Sequence, residues 1–142
     1  MQVVEYSIDQ IRRLIPYPQV NDNKYSRGVV HIVGGDALYP GAAALAACAA
    51  QRAGAGYVTV WCSPSSVHDI RAGHASLVVR PWDCAQLEPK LRHGAKHRAV
   101  LAIGSGFGAE GETERALFEA AIACDVPMLI DGGAWNCGKL CL

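Results

Sequence analysis

Short apolar runs alternate with longer stretches of helix-forming residues along this chain, and glycine-rich turns separate them. Five runs read as strands: Gly28 to Val33, Tyr57 to Trp61, Ser76 to Val79, Ala99 to Ile103 and Val126 to Ile130. They are apolar and β-branched with little polar alternation, the pattern of strands buried on both faces. Helices are predicted between them. Gly41 to Arg52 is rich in alanine, a strong helix former whose small side chain lets a helix lie close to a sheet. Ser65 to Ala72 and Ala85 to His93 are shorter candidates, the second weakened by Pro89. In Thr113 to Cys124, the residues Leu117, Ala121 and Cys124 fall on one helical face. Ahead of all these, Ser7 and Gln10 are spaced as a capping box for a helix from Ile8 to Leu14. The polar stretch from Tyr17 to Arg27 reads as a loop.

Strands alternating with helices imply β-α-β units with right-handed crossovers. The predicted fold is α/β: one domain over residues 1–142, three-layered, with a mostly parallel sheet. Ligands of such sheets bind beyond the carboxyl ends of the strands. Three glycine turns fall there: Gly34-Gly35, Gly104 to Gly108, and Asp131 to Gly133.

Composition narrows the class. Hydrophobic residues make up 51% and charged residues 18%, enough apolar material for a core. Thirteen basic residues balance thirteen acidic ones, so no electrostatic footprint for nucleic acid or an anionic membrane is present. No apolar run approaches the roughly 18 residues of a membrane span. The first residues carry no basic start followed by an apolar stretch, and a cytoplasmic location is expected. The six cysteines include no C-x-x-C pair and read as free thiols in a reducing compartment. The five histidines show no ligand spacing, and no metal site is expected.

Three motifs can carry chemistry. Gly34-Gly35-Asp36 leads through Tyr39-Pro40 into Gly41-Ala42-Ala43, placing backbone N–H groups at a helix N-terminus, where anions bind. No Gly-Lys-Ser/Thr follows, so it is not a Walker loop. Gly106-x-Gly108-x-x-Gly111 matches the dinucleotide fingerprint, with Asp131 twenty residues beyond Gly111. That reading predicts a Rossmann-type NAD-binding protein, although such a fingerprint usually opens its domain and this one follows three strands. Asp131, at the end of the fifth strand, either binds a ligand hydroxyl or metal-bound phosphate, or caps its own glycine turn.

In this order and spacing the motifs resemble the ADP/ATP-dependent NAD(P)H-hydrate dehydratase family, of ribokinase-like fold. The resemblance begins at Asn23-Lys24-Tyr25-Ser26-Arg27-Gly28 and runs through VVHIVGGDALYPGAAALAACAAQRAGAGYVTVW. IGSGFG is similar to the family's G-P-G-L-G turn, and LIDGGAWN to its D-x-D/G-A-L-N segment. The resemblance covers residues 24 to about 136, the N-terminal half of a family domain. It implies repair of hydrated NADH or NADPH, driven by ATP or ADP with Mg²⁺, through phosphorylation of the hydrate hydroxyl and elimination of phosphate. It also implies a hydrated dinucleotide lying against Gly41, Ala42, Ala43, Gly104, Gly106, Gly108 and Asp131, and a homo-oligomer.

Two family segments have no counterpart here: T-P-H-x-G-E, and the G-T-G-D loop that brings nucleotide-binding glycines and the catalytic Asp. Ser105, Phe107, Gly133 and Trp135 also depart from the usual residues. The stretch from Trp135 to Leu142 looks foreign to the family, as a frameshift or premature stop just after Ala134 would leave it. The expectation is therefore a truncated chain with no catalytic residue of its own, inactive alone and holding part of the substrate face. Its fifth strand would be an exposed apolar edge that favours oligomers. The alternatives are a non-catalytic oligomeric or dinucleotide-binding module, the Rossmann-type protein, and a sugar or vitamin kinase of the ribokinase-like group.

Overall fold

Each strand of this molecule is a short, mainly apolar run, and each ends at a glycine, a proline or a polar turn. The computed structural model describes residues 5–15, 17–95, 98–108 and 111–138. The strands are β1 (Val29–Val33), β2 (Tyr57–Cys62), β3 (Val78–Pro81), β4 (Ala99–Ile103) and β5 (Met128–Ile130). They form one parallel sheet in the order β3-β2-β1-β4-β5. The central strand β1 registers Val29 with Tyr57 on one side and with Ala99 on the other.

The helices are α1 (Ile8–Leu14), α2 (Pro40–Arg52), α3 (Val67–Gly73), α4 (Cys84–Ala95), α5 (Glu112–Ile122) and α6 (Ala134–Gly138). A 3₁₀ turn, Pro64–Ser66, leads into α3. The α1 capping box forms as its sequence predicts: Gln10 N donates to Ser7 Oγ (3.3 Å), and Ser7 N donates to Gln10 Oε1 (2.8 Å).

Two apolar clusters show that helices cover both faces of the sheet. Ile32, Val58, Val60 and Cys62 pack with Ala43, Ala44 and Ala47 of α2 and Ile70 of α3. Val33, Trp61, Leu101 and Ile103 pack with Leu87 and Leu91 of α4 and Leu117, Phe118 and Ala121 of α5. Ile32 and Val33 belong to different clusters because successive strand residues point to opposite faces. This is the predicted three-layer α/β fold.

Some boundaries differ from the predicted ones. Strand β3 starts at Val78 rather than Ser76, since Leu77 N donates to His74 O and closes a turn there. Strand β5 is shorter by Val126 and Pro127, and Pro127 contributes only its carbonyl, to Leu101 N (3.0 Å). Helix α4 runs through Pro89: the ring removes one N–H, but Leu87 and Leu91, both fully buried, anchor the helix on the sheet. Helix α6 was not predicted from the sequence.

Candidate functional site

The strand order places the switch point of the sheet between β1 and β4. Strand β1 connects outward to β2 on one side, whereas β4 and β5 lie on the other. The connections leaving two such strands run to opposite sides of the sheet, and ligands of open α/β sheets bind at the carboxyl ends there. Here those loops are Gly34–Tyr39 after β1 and Gly104–Gly108 after β4, so two of the three predicted turns flank the switch point.

They are stitched together by backbone. Gly35 N donates to Ser105 O (2.9 Å) and Asp36 N to Gly106 O (2.8 Å). Asp36 also orders its own loop: Oδ1 accepts from Leu38 N and Tyr39 N, both at 2.8 Å. Its carbonyl accepts from Ser66 Oγ (2.8 Å), tying the 3₁₀ turn after β2 into the same rim. Asp36 was not singled out by sequence reasoning. The signal was available, because Gly-Gly-Asp ahead of a helix start is a side-chain turn in the making.

The predicted site residues fall into two kinds. Gly104 and Gly106 are needed for backbone shape and close approach. Gly104 has φ 116°, and a Cβ there would collide with the Asp131 carbonyl oxygen. Gly106 has φ 74°, and a Cβ would come within 2.6 Å of Tyr39 O and 3.0 Å of Ala42 Cβ. The β4 turn thus lies directly on the first turn of α2. Gly108 sits against Asp36 Oδ2. Ala43 is fully buried, with its methyl in the core beneath the β1 turn. Gly41 is the opposite case: it is exposed, and a Cβ there would meet nothing within 4 Å. At the start of a 13-residue helix, it presents open backbone to the rim.

Asp131 is also brought to this rim. Its backbone N donates to Ile103 O (2.9 Å), and its Oδ2 accepts from Ser105 Oγ (2.8 Å). The third turn is therefore clamped to the second by a serine that the sequence showed only as a departure from the family pattern. Asp131 is exposed, and its second oxygen, Oδ1, can serve a ligand hydroxyl.

The fingerprint match behind the Rossmann reading lies in the wrong turn for that role. A dinucleotide fingerprint occupies the first βα turn, whereas this one follows β4, and Gly106 and Gly108 are accounted for by packing against Tyr39, Ala42 and Asp36. Among the described residues, no three His, Cys, Asp or Glu side chains converge to hold a metal ion.

Beneath the site lies a polar pair inside the sheet's core. Trp61 Nε1 donates to His31 Nδ1 at 3.3 Å, and both residues are buried. Burial, and then the positive charges of Lys90 and Arg80, push the His31 imidazole down to about 4. The Arg80 guanidinium stands 5.7 Å from the Trp61 ring.

The sheet order and its helices on both faces define a doubly wound α/β protein of ribokinase-like architecture. The comparisons with known proteins are specific. A profile of the family described as NAD(P)H-hydrate dehydratase matches residues 30–139, and this chain belongs to that family. An ATP-dependent (S)-NAD(P)H-hydrate dehydratase of Caenorhabditis elegans is 31% identical over 133 residues, covering 90% of this chain and 42% of that protein. That of Ixodes scapularis is 35% identical over 120 residues, covering 83% of this chain and 38% of that protein. The chain thus spans about two fifths of the length of these curated relatives. Among solved structures, the ADP/ATP-dependent NAD(P)H-hydrate dehydratase of Bacillus subtilis, co-crystallized with ATP/Mg²⁺, superposes with a TM-score of 0.76 at 22% identity. It matches 94% of this chain and 47% of that one. A ribokinase-like protein of Enterococcus faecalis gives 0.78 at 22% identity, over 89% of this chain and 44% of that one. These likenesses show the same fold.

Proposed function

We propose that this chain provides the substrate-holding face of a nucleotide-dependent NAD(P)H-hydrate dehydratase. Hydrated NADH or NADPH would lie along the β1–β4 crevice, against the open backbone at Gly41 and Ala42 and beside the Gly104–Gly108 turn. Asp131 would accept a hydrogen bond from a ligand hydroxyl, and the N-terminus of α2 would favour the dinucleotide's phosphates. One observation carries this reading: the β1 turn and the β4 turn are locked together at the switch point, while Gly41 beside them is left open.

The named relatives act with ATP or ADP, and that dependence is proposed for the reaction in which this face takes part. The described residues supply no phosphate-binding lysine loop and no metal cluster, so the role proposed for them is binding and orientation. We further propose that copies of the chain associate through β5, an outer strand whose Leu129 is 61% exposed. A cytoplasmic setting agrees with Cys48, Cys62, Cys84 and Cys124 being free thiols.

Calorimetric titration of hydrated NADH into the purified chain tests the binding face. Wild type should bind saturably. Gly41→Asp should weaken binding by about tenfold or more, because it sets a negative charge against the phosphates, while leaving the melting temperature unchanged. Equal affinity in the two proteins would refute the placement.

A further inference from the structure

Away from the crevice, on the α2–α3 side of the sheet, a thiol and an imidazole meet. Cys48 Sγ lies 3.4 Å from His74 Nδ1, although the two residues are 26 apart in sequence. Both are half-buried, at the edge of the cluster under α2 rather than inside it. Their meeting is held by a neighbouring pair. Gln51, three residues beyond Cys48 on α2, donates through Nε2 to Ser76 O and accepts from Ser76 Oγ, both at 3.2 Å. These two bonds pin the segment after α3 onto α2 and so fix His74 over Cys48.

Cys62, Cys84 and Cys124 lack such a partner chemistry. Cys62 is fully buried and its thiol is pushed up to about 11 by burial. Cys84 and Cys124 are pushed up as well, first by burial. Cys62 Sγ and Cys124 Sγ face backbone carbonyls, at 3.8 Å from Arg80 O and 3.2 Å from Ala120 O, which stabilise the protonated thiol and not the thiolate. Cys137 is buried and faces Gly133 O at 3.8 Å.

We infer that Cys48 is a reactive thiol of the described fold, with His74 as its proton acceptor, and that it is a site of reversible modification by small disulfides. A nucleophilic sulfur needs an adjacent base to become thiolate near neutral pH. With the His74 ring proton on Nε2, Nδ1 takes the thiol proton. The Cys48 thiolate then attacks one sulfur of a disulfide RSSR; the protein–S–SR bond forms, the RS–SR bond breaks, and RS⁻ leaves and takes up the proton from His74. No further oxidant enters, and excess thiol reverses the step. The added group would wedge between α2 and the end of α3, on the same helix whose first turn lies at the crevice.

The test is labelling of the full chain with dipyridyl disulfide, followed by peptide mapping of each cysteine. Cys48 should label about tenfold or more faster than the half-buried Cys84 in the same sample, and dithiothreitol should remove the label. His74→Gln should slow Cys48 by about tenfold and leave the rate at Cys84 unchanged, with an unaltered melting temperature. Equal rates at Cys48 and Cys84 in the wild-type chain would overturn the inference without recourse to any variant. So would a Cys48 rate insensitive to His74→Gln.

Discussion

His31 shows how far one side chain can depart from what its identity signals. In the sequence it is a lone histidine within an apolar strand, without metal-ligand spacing. In the structure it is a buried acceptor for the Trp61 indole, held neutral by burial. A histidine whose folded-state pKa is about 4 against an ordinary 6.5 favours folding only as the neutral form. Its contribution is therefore complete above pH 6.5, falls as pH drops from 6.5 towards 4, and is lost below. The difference corresponds to about 3 kcal/mol. Urea unfolding across this range should show the loss in wild type. His31→Asn, which keeps an acceptor for Trp61 but does not titrate, should flatten it. A wild-type stability that is constant from pH 6.5 to 4 would contradict the buried-neutral assignment. The partner could not be read from the sequence, because His31 and Trp61 meet only through strand pairing: Trp61 registers with Val33, two residues beyond His31.

At the scale of elements, the strands and the parallel β-α-β pattern were legible because period and burial agree. A run such as Val29–Val33 is apolar on both faces because helices cover both. The boundaries that moved are those where a local turn competes with the ladder, at Leu77 before β3, or where proline removes a donor, at Pro127 before β5. The candidate turns were legible as glycine clusters at strand ends. Their mutual bonding was not, since it depends on which strands are neighbours. Asp36 is the element-level residue that this hid. Asp36→Ala removes the acceptor for Leu38 N and Tyr39 N and should lower stability by about 1–2 kcal/mol. Asp36→Asn keeps the oxygen and should restore most of it. Chemical denaturation of the two variants checks this, and equal losses would show that charge rather than the side-chain turn holds the loop.

For the whole molecule, the outer strand β5 is the proposed contact between copies, and the switch point is the proposed ligand face. Leu129 and Ile130 lie on the sheet's outer strand, 61% and 39% exposed. Leu129→Lys places a charge on that edge, the usual means by which sheets avoid edge-to-edge pairing. It should shift sedimentation from associated species towards monomer, with stability changed by no more than about 0.5 kcal/mol. A wild-type chain that sediments as a monomer, or association unchanged by Leu129→Lys, would contradict the proposed β5 contact.

The central claim is the place of the crevice, and backbone amide NMR tests it most directly. Titration of hydrated NADH into the labelled chain should shift the amides of Gly35, Asp36, Gly41, Ala42, Ala43, Gly104, Gly106 and Gly108, with that of Asp131. It should leave Arg27 and Gly54, at the opposite end of the strands, in place. Shifts centred on Arg27 and Gly54, or no shifts from a folded chain at saturating ligand, would contradict the account.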